Sequence, residues 1–395
     1  TIVTDIQNLD IILNQYSISI LEPWLNGVTE KDFDKEIYLN RIYRLVLDTS
    51  NRDNLIELKN QLEKLNEIHS VEFEYKRRPL YTPNDQYYNN QWFLSDINSN
   101  EAWDYWTNSG LIPGNQDVIL DSIDLGVNWQ HPDLINNIWQ NLNEDADGDG
   151  RTIEGSGNNW YLDPGDLNGI DDDDWDNNGS TYIDDLIGWD PSGINGVDDN
   201  DPDPPNSNGW SHGTHVAGLL ASTTDNGTGI ASTAFNCSIM SVKVSTENQQ
   251  SDIYITDGFD GIIYASKAAY FSKGFSIINN SWGGVGYSQY EQSVINTCYN
   301  NYNTIIVCAG GNGSDTGWGE SNDSHYPSGY ENVVSVCPIG TNNSWNHWAT
   351  YGSTIDLASP GESIRSCTGT NSYQSWDGSS MASPVAASVM GLLKS

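Results

Sequence analysis

The alternation of apolar and polar positions divides the chain into two stretches of different kinds. In the first stretch, residues 41–48 alternate like a strand, residues 52–66 place leucines on one helical face, and residues 71–75 alternate again. This pattern predicts a small β-α-β unit. A basic segment that ends in proline follows it, so we place a domain boundary there and divide the chain into residues 1–80 and 81–395.

In the second stretch, short apolar runs alternate with longer amphipathic segments. The runs predict strands at 117–123, 239–244, 276–279, 304–308 and 333–337. The longer segments predict helices at about 212–222, 256–270, 287–299 and 380–394. This alternation is typical of an α/β fold in which a parallel sheet has helices on both faces. In such sheets, functional residues collect at the carboxyl ends of the strands.

Composition and charge narrow the kinds of protein that this chain can be. Of its 395 residues, 37% are hydrophobic, which is enough for a real core. No run of about 18 or more apolar residues is present, so no membrane span is predicted. A formal net charge of -38 would repel nucleic acid and anionic membranes unless cations neutralise it. Calcium is the cation we expect, and a halophilic or cold-adapted surface is the alternative for charge outside the dense acidic cluster at residues 144–203.

The cysteines and the first residue bear on the compartment. The five cysteines show no spacing typical of zinc or thioredoxin chemistry. Cys308 and Cys337 end short apolar runs, which favours buried strand cysteines over a disulfide. The chain begins with Thr rather than Met, so we expect that any leader has been removed.

Three polar residues at the ends of predicted elements have the chemistry of a catalytic triad. Asp124 ends a strand, and His212 and Ser380 begin helices. A serine hydroxyl is a poor nucleophile at neutral pH, so it needs a histidine to accept its proton and a carboxylate to orient that histidine. These three residues supply the set in the order Asp, His, Ser.

The segments around these residues resemble the signatures of the subtilisin-like serine proteases. The matching segments are 123–134, 212–218 and 378–384. The likeness runs from about residue 81 to the end, and the opening segment looks like the thermitase-type branch. It implies a three-layer subtilisin-like fold and a serine endopeptidase that forms an acyl-enzyme, in which Asp124 orients, His212 is the general base and acid, and Ser380 attacks. His215 could compete for the base role, but in a helix it points away from His212, and the family pattern selects the first histidine. The remaining histidines are expected to be structural, namely His69, His131, His325 and His347.

A loop after a predicted strand resembles the oxyanion segment of the same family. Acyl transfer needs donors for the negatively charged oxygen, and one lost donor costs about 100-fold or more in rate. The resemblance implies that the side-chain amide of Asn312 and the backbone N–H of Ser380 form this oxyanion hole. Taken alone, the segment would be an ordinary Gly-Asn turn.

Substrates of this family bind as an added strand, through main-chain hydrogen bonds. The residues of this chain that match the binding edges are Ser281, Trp282, Gly283, Ala309, Gly310 and Gly311. The small residues among them predict a pocket open to large side chains. We therefore expect cleavage after apolar or aromatic residues.

Two residues near the candidate aspartate depart from the family pattern. Leu125 stands where Thr or Ser is usual, so a hydroxyl that would hydrogen-bond Asp124 is missing. Asp121 lies inside the same strand, where a carboxylate is costly unless it is paired, and the sequence offers no partner for it. Family catalytic domains also continue further beyond Ser380, which we expect to matter for stability more than for chemistry.

An acidic insert, residues 143–203, lies between the candidate aspartate and histidine and contains two segments that fit the calcium-loop template. The candidate ligands of the first are Asn143, Asp145, Asp147, Asp149 and Glu154. Those of the second are Asp174, Asp176, Asn178 and Asp185. A solvated acidic loop is the alternative. The family resemblance implies a separate calcium site at Asp85, Asp133 and Asn226, and all these ions would brace loops without a part in bond cleavage.

Residues 1–80 resemble, in position and pattern, the prodomain that assists folding of subtilisin-like proteases and inhibits them. The resemblance implies cleavage near residues 78–82, and a generic accessory domain is the alternative. Together these features predict a secreted, calcium-stabilised serine endopeptidase that acts on proteins or peptides. The alternatives are a non-catalytic calcium-binding adhesion or scaffold module and an inactive, peptide-binding relative of the proteases.

Overall fold

Two compact units, Thr1–Pro79 and Leu80–Ser395, make up the chain in the computed structural model of this protein. The structure describes residues 4–48, 52–75, 81–173, 175, 181–207, 209–249, 253–313, 325–345 and 347–395. In these residues, no helix is both long enough and apolar enough to cross a membrane.

The first unit is a small α+β assembly around three buried leucines, Leu13, Leu58 and Leu62. Its helices are α1 (Gln7–Leu13) and α2 (Arg52–Leu62), and its strands are β1 (Ile18–Pro23), β2 (Phe33–Asp34), β3 (Ile37–Tyr38) and β4 (Tyr43–Leu47). The two longer strands, β1 and β4, pair antiparallel. Strand β4 and helix α2 lie where the sequence predicts them.

The predicted third strand of this unit is absent from the structure. The described residues 71–75 have no regular secondary structure, and β1 is the partner of β4 instead. Val71 packs on the leucine cluster, but Phe73 and Tyr75 are 40% and 76% exposed. An alternating pattern specifies which side chains share a face, and it does not by itself supply a partner strand.

The second unit is built on a mostly parallel sheet. Its strands are β5 (Ile119–Asp124), β8 (Gly188–Trp189), β9 (Ser238–Lys243), β10 (Ser276–Asn280), β12 (Thr304–Ala309), β14 (Val333–Gly340), β15 (Ser344–Trp345) and β16 (Leu357–Pro360). The strand order is β15-β14-β12-β10-β5-β9-β8, and β16 also pairs with β14. Among these strands, only β15 runs antiparallel to its neighbour. In the described part of this unit, three two-stranded antiparallel pairs lie outside this sheet. They are β6 (Ile153–Ser156) with β7 (Asn159–Leu162), β11 (Gly284–Val285) with β13 (His325–Tyr326), and β17 (Ile364–Thr368) with β18 (Ser372–Trp376).

Helices cover both faces of the sheet, which confirms the predicted three-layer α/β architecture. The helices of this unit are α3 (Trp92–Asp96), α4 (Ser99–Thr107), α5 (His212–Ala221), α6 (Gly258–Lys273), α7 (Gln289–Asn301) and α8 (Ser379–Lys394). Helices α5 and α8 pack in one apolar cluster with Leu120, and α6 and α7 pack in another with Ile119 and Ile123. Successive side chains of β5 therefore point to opposite layers, as the strand period requires.

The central strand β5 also holds the carboxylate for which the sequence offered no partner. Asp121 is fully buried, and the hydroxyl of Ser276, on the neighbouring strand β10, donates to its Oδ2. Burial raises the pKa of Asp121 well above its ordinary value, and this hydrogen bond opposes the rise only in part. Burial therefore favours the neutral form of this carboxyl group, which has one hydrogen bond, from Ser276, among the described residues.

All five cysteines are free, and Cys308 and Cys337 lie on β12 and β14. Cys308 is fully buried, and burial raises the pKa of its thiol, so it packs as a small apolar residue.

Candidate active site

The end of β5 and the start of α5 bring an aspartate and a histidine into direct contact. The Nδ1–H of His212 donates to Oδ1 of Asp124 over 2.7 Å, and the backbone N–H of Leu125 donates to the same oxygen over 2.8 Å. Gly213 permits this contact, because a Cβ there would lie 2.3 Å from the carbonyl oxygen of Gly126 and 3.1 Å from Cβ of Asp124. The predicted pair is thus adjacent, and the glycine after the histidine explains how the helix approaches the strand.

The electrostatics of this pair suit a general base. Burial opposes protonation of His212, but the charge of Asp124 and the hydrogen bond between them outweigh it and raise the pKa of His212 above its ordinary value. Asp124 is 1% exposed, and its Oδ2 accepts no hydrogen bond from any described residue. Leu125 has no side-chain hydroxyl that could donate to this oxygen, so Oδ2 of Asp124 is left without a donor among the described residues.

The neighbouring His215 has a different environment. Its ring stacks on Trp376, with centroids 4.3 Å apart, and its Nε2 lies 3.2 Å from the carbonyl oxygen of Gln374. Burial, together with the nearby His212, lowers the pKa of His215 to about 3. It is therefore a neutral side chain that packs in the protein.

The candidate nucleophile lies in the first turn of α8 and is partly exposed. The hydroxyl of Ser380 donates to the carbonyl oxygen of Ser281 over 2.9 Å, and the hydroxyl of Ser281 donates to the carbonyl oxygen of Ser380 over 2.9 Å. These reciprocal bonds hold the serine turn against the segment that follows β10. The Ser380 hydroxyl thus bonds to Ser281 in this structure, and no hydrogen bond joins the described side chains of Ser380 and His212.

Two hydrogen-bond donors converge beside this serine. The backbone N–H of Ser379 donates to Oδ1 of Asn312 over 2.8 Å, which fixes the orientation of the amide. A Cβ built on Gly378 would lie 3.6 Å from the backbone N of Ser380 and 3.7 Å from Nδ2 of Asn312. Both nitrogen atoms therefore lie near the same space beside Gly378, whose φ is 153°. A developing oxyanion in that space would meet two donors.

One of the two predicted substrate edges borders an open cleft. Asp124, His212, Trp282 and Gly283 line a cavity of about 600 Å³. The indole Nε1–H of Trp282 donates to the carbonyl oxygen of Ile123 over 2.9 Å, so this segment is tied to the strand that carries the aspartate. Gly283 is exposed, and a substrate main chain can approach it.

The second predicted edge, residues 309–311, is a buried wall. The N–H of Gly310 donates to the carbonyl oxygen of Val336, the N–H of Gly311 donates to the hydroxyl of Ser379, and the carbonyl oxygen of Gly311 accepts from Thr350. These main-chain groups are already bonded within the protein. The segment therefore shapes the groove, and the added strand predicted from sequence has fewer free groups to bond here.

Among the described residues, the acidic insert brings carboxylates together in three groups, two of which share Asp147. Within each group, one oxygen of each residue lies within 4.8 Å of the others. The groups are Asp145, Asp147 and Asp166; Asp147, Asp149 and Asp163; and Glu144, Asp171 and Asp173. Three ligands predicted for the first loop, Asp145, Asp147 and Asp149, thus belong to the first two groups. Asp163 and Asp166 complete these groups and are not part of the loop template. The predicted ligand Glu154 lies instead on the hairpin that follows, where it pairs with Arg151 over 3.0 Å. Asn143 is exposed just before these groups.

The second predicted loop falls mostly outside the described residues, namely Asp174, Asp176 and Asn178. Its last predicted ligand, Asp185, is fully buried, accepts from Nδ2 of Asn141 over 2.7 Å and also accepts from the hydroxyl of Tyr264 over 2.6 Å. Protein donors thus contact both of its oxygens.

The site implied by family resemblance lies elsewhere. The Nδ2 of Asn226 donates to Oδ1 of Asp133 over 2.9 Å, and Asp85 accepts from the backbone N–H of Asp225 over 2.8 Å. Asp133 and Asp85 are buried at 0% and 5% exposure, and Oδ1 of Asp85 has no partner among the described residues. Asn226 therefore contacts Asp133 directly, and Asp85 contacts Asp225, the residue before Asn226.

Comparison with known proteins agrees with this geometry. The profile of Peptidase S8, the subtilase family, matches residues 115–395. Thermitase of Thermoactinomyces vulgaris is 33% identical over 319 residues, which cover 80% of this chain and 86% of thermitase. An extracellular protease of Xanthomonas campestris pv. campestris is 30% identical, and the match covers 91% of this chain and 59% of that protein. A solved protease structure from Pseudoalteromonas arctica superposes with a TM-score of 0.55 at 28% identity, covering 80% of this chain and 87% of that one.

The parallel sheet and the matched signatures define a serine endopeptidase of the α/β class. The chain belongs to the subtilase family, and its relatives include thermitase. The family prediction from sequence is confirmed.

Proposed function

We propose that the chain is a calcium-stabilised endopeptidase that cleaves proteins or peptides through an acyl-enzyme on Ser380. The observation that carries this proposal is that Asn312 Nδ2 and the Ser380 backbone N both lie near the same space beside Gly378, next to the serine. The hydrogen-bonded Asp124–His212 pair supplies a base at the same end of the sheet. A module that only bound calcium or peptides would need neither arrangement.

Each residue has one task in this proposal. His212 accepts the proton of Ser380 as the serine attacks the substrate carbonyl, and it later returns the proton to the leaving amine. Asp124 holds the imidazole by its Nδ1–H and stabilises the imidazolium. Asn312 and the Ser380 N–H stabilise the oxyanion, and water then hydrolyses the acyl-enzyme by the same route.

A fluorophosphonate probe tests the catalytic proposal. The purified full chain should be labelled at Ser380, as located by mass spectrometry, and Ser380→Ala should abolish the labelling. Ser375→Ala removes an exposed hydroxyl on β18 and serves as the matched control, with labelling retained. Absence of labelling in the unmutated chain would favour an inactive, peptide-binding relative.

Calcium is proposed as a structural ion of the insert. The fit rests on buried carboxylate oxygens without protein donors among the described residues, namely Glu144 Oε2, Asp163 Oδ2 and Asp166 Oδ2. Oxygen-only donor sets of this kind suit calcium. Glu144 with Asp171 and Asp173, and Asp145, Asp147 and Asp149 with Asp163 and Asp166, would hold the ions. Bound calcium would neutralise these carboxylates and brace the insert.

The first unit is proposed as a prodomain, and the mature enzyme as a secreted one. The support for the prodomain is its position before the catalytic unit and its α+β pattern, and the support for secretion is the extracellular protease among the relatives. Cleavage is expected near residues 78–82, of which 78–80 lie outside the described residues. Intact-mass measurement should find a new N-terminus there in the active chain and an uncut chain in Ser380→Ala. An active enzyme that retains the whole first unit would contradict this proposal.

A further inference from the structure

A histidine lies between the two predicted substrate edges, although no sequence pattern indicates it there. His325 was expected to be structural, and it lies on β13, which pairs with β11 directly after the Trp282–Gly283 segment. The paired residues are His325 with Val285 and Tyr326 with Gly284. This pairing places His325 beside the exposed edge.

The imidazole ring of His325 touches both sides of the groove. A Cβ built on Gly283 would lie 2.8 Å from Cε1 of His325, and a Cβ built on Gly311 would lie 2.8 Å from its Nε2. Gly283 belongs to the exposed edge and Gly311 to the buried wall. The ring therefore spans the gap between the two segments, in the place where the small residues alone would leave an open pocket.

This gap adjoins the reacting atoms. The segment beginning at Ser281 exchanges hydrogen bonds with Ser380, and Gly311 donates to the hydroxyl of Ser379. A substrate whose carbonyl lies at Ser380 and Asn312 would therefore have the side chain of that same residue next to the gap between Gly283 and Gly311. That side chain meets His325.

We propose that His325 is a specificity-determining residue that shortens the pocket, so that the enzyme prefers a short side chain, such as that of alanine, before the scissile bond. An aromatic side chain would compete with the imidazole for the same space, and close packing leaves little room for both. This inference rests on the proposed function, and it replaces the aromatic preference that the small residues predict.

The test compares two peptide p-nitroanilides that differ only in having Ala or Phe before the scissile bond. The unmutated full chain should favour Ala in kcat/KM by about 10-fold or more. His325→Gly should raise the Phe-to-Ala ratio of kcat/KM by about 10-fold or more, because it empties the space between the glycines. The exposed His347→Gly is the matched control and should leave the ratio unchanged.

The substitution keeps the main-chain carbonyl at position 325, which accepts from Ser328 and Gly329, so the turn after β13 should persist and the variant should fold. The melting temperature checks this, and the substrate preference of the unmutated chain tests the inference even if the variant is unstable. A preference for Phe in the unmutated chain, or an unchanged ratio in a folded, probe-labelled variant, would overturn the pocket inference alone. Failure of the probe to label Ser380 in the unmutated chain would overturn the proposed function and this inference with it.

Discussion

The catalytic end of β5 and the acidic insert both bury carboxylates, but the protein treats them differently. Asp124 has a histidine and a backbone N–H on one oxygen. In the insert, Glu144 is fully buried, and its Oε1 accepts from the backbone N–H of Asp173 over 2.9 Å. Its Oε2, like Oδ2 of Asp124, has no donor among the described residues. The two carboxylates differ in what lies beside them: His212 faces Asp124, whereas Glu144 lies beside the carboxylates of Asp171 and Asp173. Under the proposed function, a histidine of the fold therefore serves the catalytic carboxylate, and a bound calcium ion would serve those of the insert.

Lys243, at the end of β9, is intermediate between the catalytic end of β5 and the acidic insert. This buried lysine pairs with Asp190 over 3.0 Å and with Glu247 over 2.6 Å. Burial opposes its protonation, but the charge of Asp190 outweighs it and raises the pKa of Lys243. The ammonium group of Lys243 is thus the cation that faces Asp190 of the insert. The carboxylate group around Glu144 contains no such side chain among the described residues.

The largest expected effect breaks the catalytic pair. Asp124→Asn should lower kcat by about 10⁴-fold, because the imidazole loses the acceptor that fixes its tautomer. The unmutated enzyme should lose kcat/KM as pH falls through a midpoint above about 6.5, since only neutral His212 accepts the proton and Asp124 raises its pKa. The substitution should move that midpoint down. A pH–rate profile measures both effects, and an unmoved midpoint would mean that Asp124 does not set the charge of His212.

The next effect concerns the oxyanion donors. Asn312→Ala should lower kcat by about 10²- to 10³-fold with little change in KM, because the lost bond forms only in the transition state. Asn301→Ala, at the exposed end of α7, is the matched control and should keep full activity. Steady-state kinetics separates the two parameters. If KM alone rose, Asn312 would be a ground-state binding residue.

Calcium removal should act on stability first. Chelation should lower the melting temperature by about 5 °C or more, because a ligand at 100 times its Kd contributes about 2.7 kcal/mol. Glu144→Gln should reduce this calcium-dependent shift, and the exposed Asp96→Asn should preserve it. Differential scanning calorimetry with and without calcium gives the comparison. Equal melting temperatures in both conditions would favour a solvated acidic loop.

The smallest effect concerns the unpartnered oxygen of Asp124. Leu125→Ser introduces a hydroxyl where the family usually has one, and a new bond to Oδ2 should contribute about 1 kcal/mol. We expect a rise of about 2 °C in melting temperature relative to Leu125→Ala, which removes the same packing without adding a donor. Were the two variants equally stable, the hydroxyl would not reach Asp124.

Much of the fold follows from local patterns. The period of apolar positions predicted β5, β9, β10, β12 and β14 and the four long helices of the second unit, because each of these elements buries a continuous face. The same reasoning failed at residues 71–75, where the pattern alternates but β1 is the partner of β4. Pairing between strands depends on residues distant in sequence, and no local period encodes it.

The sequence by itself determined the family and the chemical types at the site, because Asp124, His212, Asn312 and Ser380 lie in short segments whose residues can be read locally. The tertiary structure alone decided what surrounds them: that Ser276 donates to Asp121, that Glu144 joins Asp171 and Asp173, and that His325 lies between Gly283 and Gly311. The physical reason is that burial, charge pairing and pocket size arise from side chains brought together across the sheet and its loops.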